Sequence, residues 1–113
     1  GLAARSPIPV SLDVHVPQRL PRPIEAVAYF VVSEALTNVV KHSGASRAQV
    51  MARVADGRLH LRIVDDGAGG ADPTTGTGLT GLRQRVASVD GELTVESPLG
   101  GPTVLEAWIP CGS

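Results

Sequence analysis

The chain has 113 residues, of which 42% are hydrophobic, and a formal net charge of −1 at pH 7. This length fits one domain with one core, and the near-neutral charge argues against nucleic-acid or membrane-surface binding driven by bulk charge. The single cysteine, Cys111, excludes an internal disulfide, and no Cys/His spacing suggests zinc. Since we find neither a bilayer-spanning segment nor a signal peptide, we expect a cytoplasmic domain.

The first half of the chain shows strand and helix patterns in alternation. Apolar residues alternate with polar ones over 10–16, which predicts a half-buried strand. A proline-rich connector over 17–23 leads to a long helix predicted over 24–42. Two alternating arms over 48–65 predict a hairpin, because Asp56 and Gly57 between them are a strong two-residue turn signal.

The second half adds a helix and two strands. Residues 70–77 show no periodicity and predict a mobile loop. A helix is predicted over 79–89, followed by strands over 92–97 and 103–109. Because apolar and polar residues alternate in every strand, one face of the sheet should be buried and the other exposed to solvent. The predicted fold is α/β, a two-layer sandwich with both helices on one face of a mixed, largely antiparallel sheet of about five strands.

Four polar side chains share one face of the first predicted helix. At 100° per residue, the set falls within an arc of roughly 100°: Glu34, Asn38, Lys41 and His42. An amide oxygen is a good ligand for Mg²⁺, and a lysine ammonium suits a phosphate. The alternative is a solvated helix face. Asparagine has a low helix propensity, however, so its position in the middle of a helix calls for a functional explanation.

An acidic turn and a glycine-rich helix start follow. Asp65 ends a predicted strand, and its carboxylate suits an exocyclic amino group such as that of adenine. Gly67 and Gly69 would let the backbone approach a flat ring, although an ordinary strand-to-loop turn has the same pattern. The glycines over 76–81 open the second helix, where free N–H groups bind anions. Their spacing is neither a Walker loop nor a Rossmann fingerprint.

Together these clusters resemble the ATP-binding catalytic domain of bacterial sensor histidine kinases, within the GHKL superfamily. Residues 34–42 look like its N box, 65–69 like its DxGxG box, 76–79 like its second glycine box and 101–103 like its last glycine–threonine element. The resemblance covers essentially the whole chain. The segments EALTNVVKHSGAS and GTGLTGLRQRV, with a very short loop between the glycine boxes, are similar to those of the subfamily paired with NarL-type response regulators.

This resemblance implies a Bergerat fold that binds ATP and Mg²⁺. In the N box it implies that Asn38 is the metal ligand, that Lys41 and His42 lie near the phosphates, and that Glu34 is the acid of the box. All four are candidate catalytic residues. In some relatives that acid activates water, which a kinase must avoid, so the role of Glu34 is a hypothesis.

The resemblance also implies the nucleotide contacts. Asp65 would bind the adenine amino group, Gly67 and Gly69 would line the base, and Thr103 would support the adenine end. The second glycine box would meet the phosphates through its backbone: Gly76, Thr77, Gly78 and Leu79. Pro102 stands where the family usually has glycine, which removes a backbone donor beside Thr103.

At the level of the whole protein, the resemblance implies that residues 1–113 are one catalytic domain. It would be a fragment of a longer kinase, without the upstream dimerisation domain that carries the phosphoacceptor histidine. Such a fragment should bind ATP but not autophosphorylate. We expect a monomeric fragment of a homodimeric kinase, soluble or the cytoplasmic part of a membrane-anchored sensor. It would signal through a NarL-type response regulator and contact neither nucleic acid nor membrane directly. Two alternatives are open: an anti-sigma-factor-type serine kinase, and a non-catalytic nucleotide-binding regulatory domain.

Overall fold

Five strands and two helices make up the described part of the chain. The computed structural model describes residues 8–16, 19–39, 46–67 and 77–111. In chain order the elements are β1 (Val10–His15), α1 (Arg22–Asn38), β2 (Ala48–Ala55), β3 (Arg58–Asp65), α2 (Thr77–Ala87), β4 (Glu92–Glu96) and β5 (Thr103–Pro110). Every predicted element is therefore present and of the predicted type. Within these residues, neither helix is long and apolar enough to cross a bilayer.

All five strands belong to one mixed sheet, in the order β1-β2-β3-β5-β4. β1 and β2 are parallel and are connected through α1, whereas the other three pairs are antiparallel. The predicted hairpin turn joins β2 to β3 at Asp56 and Gly57, whose φ angles are 53° and 73°. Two consecutive positive φ angles are what a two-residue type I′ turn requires. The sheet thus places the end of β3 beside the start of β5.

The hydrophobic core lies between one face of the sheet and the two helices. Alternate residues of β3 are buried on this face: Leu59, Leu61 and Ile63. The helices contribute buried residues at helical spacing: Ile24, Val27, Val31, Ala35 and Leu36 from α1, and Leu82 and Val86 from α2. α1 packs against α2 and β3, and α2 packs against β4. This arrangement confirms the two-layer α/β sandwich.

The opposite face of the sheet carries partly exposed side chains. His60 of β3 stacks on Trp108 of β5, with ring centroids 5.1 Å apart. The Nε2 atom of His60 also lies 2.7 Å from Oε2 of Glu106. Stacking and hydrogen bonding on this face therefore tie β3 to β5 from the side away from the core.

β1 differs from its prediction as a half-buried strand. Leu12 and Val14 are 59% and 58% exposed, although Leu12 is the register partner of the buried Val50 and so lies on the helix side of the sheet. A helix is about 10 Å across, and strands are about 4.8 Å apart. Two helices therefore cover about four strands, and β1, at the sheet edge, keeps only Val10 at its start packed against the core.

α1 begins two residues earlier than predicted. It starts at Arg22 because the carbonyl of Pro21 accepts the backbone N–H of Ile24 at 3.0 Å, which closes the first turn. The predicted end of this helix at residue 42 lies outside the described residues. The predicted loop also lies outside them over residues 70–76.

α2 is displaced toward the N-terminus relative to its prediction over 79–89. It spans Thr77–Ala87 and ends where Asp90 adopts a left-handed φ of 61°. The N–H of Gly91 then donates to the carbonyl of Val86 at 2.9 Å. A left-handed residue followed by such a backbone hydrogen bond is a common helix C-terminus, so the helix stops before the predicted position.

Candidate nucleotide-binding site

Asp65 is the central residue of the candidate site. It is the last residue of β3, and the sheet register places it between Ala48 of β2 and Thr103 of β5. It is 4% exposed, and no other charged or polar side chain in the described ranges is as buried. The N–H of Gly67 donates to its Oδ1 at 2.8 Å. The hydrogen bond fixes the position of one carboxylate oxygen, Oδ1.

The environment of Asp65 disfavours its charged form. Burial raises the pKa of the Asp65 carboxyl, the hydrogen bond from Gly67 lowers it, and the nearby charge of Asp66 raises it further, with a net increase. Burying a carboxylate costs folding free energy unless a cation or hydrogen-bond donors offset its charge. Perturbed groups of this kind are frequent at functional sites, where a ligand can supply such a donor.

Thr103, which is predicted to support the adenine end of the site, lies beside Asp65 in the sheet. The two are register partners in the β3–β5 pair, so their side chains lie on the same face of the sheet. The Thr103 Oγ1 atom is 2.7 Å from Ser97 Oγ, a hydroxyl pair that joins β5 to the end of β4. Pro102 precedes Thr103 and is exposed. The structure thus brings Asp65, Gly67 and Thr103 together at one end of the sheet.

The N-box residues lie at the end of α1. Glu34 and Asn38 are one turn apart, on the same side of the helix, and both are half-buried. Asn38 is the last residue of α1. Lys41 and His42, the other two N-box candidates, lie outside the described residues.

The second glycine box provides the N-terminus of α2. Thr77, Gly78 and Leu79 are its first three residues. The first N–H groups of a helix lack intrahelical acceptors, and together with the helix dipole they attract phosphate. Gly69 and Gly76, which the prediction adds to the site, lie outside the described residues.

Asp66 is a site neighbour that sequence reasoning missed. Its carboxylate accepts hydrogen bonds from Ser46 and from the backbone of Arg47. The Ser46 hydroxyl and the Arg47 N–H hold the pKa of Asp66 below its ordinary value. The only signal in the sequence was the doublet of Asp65 and Asp66, because the partner residues lie far away along the chain.

Residues 25–113 match the protein family described as histidine kinase-, DNA gyrase B- and HSP90-like ATPase, HATPase_c. The chain is similar to the sensor histidine kinase YxjM of Bacillus subtilis (strain 168), with 32% identity over 108 residues, which cover 94% of this chain and 27% of YxjM. It is also similar to the sensor histidine kinase NarS of Mycobacterium tuberculosis (strain ATCC 25618 / H37Rv), with 39% identity over 92 residues, 78% of this chain and 21% of NarS. The chain therefore spans about a quarter of the length of these relatives.

A solved structure shows the same fold. The histidine kinase domain of the blue-light activated histidine kinase EL346 from Erythrobacter litoralis matches with a TM-score of 0.75 at 26% identity, over 90% of this chain and 55% of that chain. The family match includes every described site residue from Glu34 to Thr103. This chain therefore belongs to the histidine kinase-, DNA gyrase B- and HSP90-like ATPase family, as an ATP-binding domain.

Proposed function

We propose that this chain is the catalytic domain of a two-component sensor histidine kinase. It would transfer the γ-phosphoryl group of ATP to a histidine on a dimerisation domain of the parent protein. The observation that carries the proposal is Asp65, a buried carboxylate oriented by Gly67 in a chain whose relatives are sensor histidine kinases. The transfer needs positioning and charge stabilisation from the domain rather than covalent chemistry.

Asp65 favours adenine because of hydrogen-bond polarity. An ionised carboxylate only accepts hydrogen bonds. Adenine presents an amino donor at the position where guanine presents a carbonyl acceptor. Since Oδ1 of Asp65 already accepts the Gly67 N–H, Oδ2 is the atom that would accept from the adenine amino group. Thr103 supports this end of the site, and the first residues of α2 would hold the phosphates.

Asn38 fits a magnesium ion that is shared with the nucleotide. Among the residues that the structure describes, no group of three or more His, Cys, Asp or Glu side chains could hold a metal. Mg²⁺ usually takes one or two protein oxygens and fills its remaining positions with phosphate oxygens and water. The Asn38 amide oxygen would be the protein ligand, and the ion would offset phosphate charge. Glu34 stays a candidate catalytic acid of undetermined role.

We further propose the partners that the motifs imply. The phosphoacceptor domain of the same kinase would present the histidine, and a NarL-type response regulator would receive the phosphoryl group. This proposal is supported by the amino-acid sequences of the N box and of the start of α2, together with relatives that are sensor histidine kinases. In this proposal the kinase is a homodimer, this domain alone is a monomer, and it operates in the cytoplasm without contacting nucleic acid or membrane.

Calorimetry with ADP, GDP and Mg²⁺–ATP tests the nucleotide site. The wild-type chain should prefer ADP to GDP. Asn38→Ala should weaken Mg²⁺–ATP binding and leave metal-free ADP binding nearly unchanged. Thr37→Ala is the matched control, because the exposed Thr37 side chain bonds to the Ser33 carbonyl of its own helix. Equal ADP and GDP affinities would remove Asp65 as the base reader, and an Asn38 variant with unchanged Mg²⁺–ATP affinity would remove the metal assignment.

The chemistry of the product separates the kinase classes. The parent protein should be incubated with ATP labelled at the γ-phosphate, and the labelled protein exposed to acid and to base. A phosphohistidine loses its label in acid and keeps it in base, whereas a phosphoserine behaves in the opposite way. Acid-stable label would favour the anti-sigma-factor-type serine kinase, and nucleotide binding without any labelling would favour a regulatory domain.

A further inference from the structure

Asp66 joins the end of β3 to the two residues before β2. Its Oδ1 accepts the backbone N–H groups of Ser46 and Arg47 at 2.8 and 3.0 Å, and its Oδ2 accepts the Ser46 hydroxyl at 2.5 Å. The Arg47 Nε atom lies 3.9 Å from the same Oδ2. One carboxylate therefore binds two consecutive backbone amides, a side-chain hydroxyl and a guanidinium.

The backbone alone holds this point of the sheet weakly. The regular β2–β3 ladder ends with the pair of Ala48 and Asp65. The next backbone hydrogen bond, from the N–H of Asp66 to the carbonyl of Arg47, is 3.4 Å long, beyond the usual range for N–H···O bonds. The side-chain bonds of Asp66 are shorter. They therefore determine where the chain runs as it leaves β3.

That path controls the Asp65 carboxylate. Gly67 follows Asp66 directly, and its N–H is the donor that holds Oδ1 of Asp65 at 2.8 Å. Glycine has the most freedom of any residue in its backbone angles. Among the described residues, Asp65 bonds Gly67 directly, and Asp66, the residue between them, anchors the same stretch of backbone to Ser46 and Arg47.

We propose that Asp66 is a positioning residue for base recognition. By holding the end of β3 to Ser46 and Arg47, it aims the Gly67 N–H at Asp65 and keeps Oδ2 of Asp65 directed at the adenine amino group. The inference rests on the proposed nucleotide site and adds a residue that acts through Asp65. Its effect falls on the preference for ADP over GDP and not on nucleotide binding in general.

Calorimetry with ADP and GDP on the 113-residue chain tests the proposal. Asp66→Ala should weaken ADP binding on the order of tenfold, as loss of a group that orients a ligand residue typically does, with little change for GDP. Asp66→Asn should recover most of the loss, because its amide oxygen still accepts from Ser46 and Arg47. Asp13→Ala is the matched control: Asp13 is also a surface aspartate with an arginine partner, Arg53, but it lies on β1. It should change neither affinity.

A double variant separates positioning from simple support of the fold. In an Asp65→Asn background, Asp66→Ala should cost little further ADP affinity, because the two residues act as one unit. A full tenfold loss in that background overturns the proposal. So does an Asp66→Ala protein that melts at a lower temperature but keeps the wild-type ratio of ADP to GDP affinity. If Asp66→Ala does not fold, Ser46→Ala replaces it in the test. The ratio of ADP to GDP affinity should then fall by a smaller factor, and an unchanged ratio would overturn the proposal.

A wild-type chain that binds neither nucleotide overturns the proposed function and this inference together, whereas failure of the Asp66 variants alone overturns only the inference.

Discussion

Asp65→Asn is the substitution whose outcome the structure defines most closely. The Oδ1 atom of Asp65 accepts the Gly67 N–H. In the variant, the amide oxygen would keep that bond, and the amide NH₂ group would then occupy the position of Oδ2. A donor would face the adenine amino group, which is itself a donor.

The size of the effect follows from burial. The side chain is 4% exposed, so water cannot easily satisfy the two opposed donors. A buried polar group left without a partner costs about 1–3 kcal/mol. That cost corresponds to a roughly 5- to 150-fold higher Kd for ADP. GDP should lose much less, because the carbonyl that guanine carries at this position can accept from the new amide.

Calorimetry of both nucleotides measures the effect directly. Asp90→Asn is the control, since it also removes one negative charge but at an exposed turn after α2, in a left-handed conformation that asparagine tolerates. Its affinities should equal those of the wild type. An Asp65→Asn protein that binds ADP as tightly as the wild type, or that loses ADP and GDP affinity equally, would refute the polarity reasoning.

Further predictions concern stability. Burial raises the pKa of Asp65 above its ordinary value of 3.8, so the contribution of this one carboxyl to wild-type stability should fall as pH rises through and above that value. Without nucleotide, Asp65→Asn should therefore unfold at higher urea concentration than the wild type at pH 7, and this gain should disappear toward pH 3. Gly91→Ala should lower the free energy of unfolding by about 1–3 kcal/mol, because its Cβ would lie 2.7 Å from Cγ1 of Val86. Gly81→Ala should raise it by about 0.5–1 kcal/mol in denaturant titrations, since its added Cβ would have none of the described atoms within 4 Å. Leu12→Thr should change it by less than about 0.5 kcal/mol, since the side chain is 59% exposed; a larger loss would mean that β1 is covered in solution.

Local chemistry made much of the fold predictable. The alternation in β3 gave the buried side of that strand, because side-chain direction in a strand depends on the parity of the residue number. The turn at Asp56 and Gly57 required positive φ angles that these residue types supply. Asp65 became a candidate site residue because its motif combined with two others; the structure shows it buried at the end of its strand, and its role in the site stays a prediction.

Long-range contacts were the part that the sequence could not supply. The exposure of Leu12 depends on how many helices cover the sheet, which alternation within one strand does not encode. The partners of Asp66 precede a different strand, so its hydrogen bonds exist only once β2 and β3 have paired. The insertion of β5 between β3 and β4 is likewise a property of the whole sheet.

The position of β5 also links nucleotide binding to the last stages of folding. Residues 65 and 103 are distant in the chain, yet they face each other across the β3–β5 pair. Pairing of distant segments requires closure of a long loop and is slow compared with hairpin or helix formation. A chain with only the β2–β3 hairpin and α1 in place would have Asp65 but not the strand that completes its surroundings. Nucleotide should therefore bind the finished sheet alone, and at a ligand concentration of about 100 times Kd it would add about 2.7 kcal/mol to the free energy of unfolding. Cellular ATP would then act as a folding ligand for this domain, in addition to its part in the proposed kinase reaction.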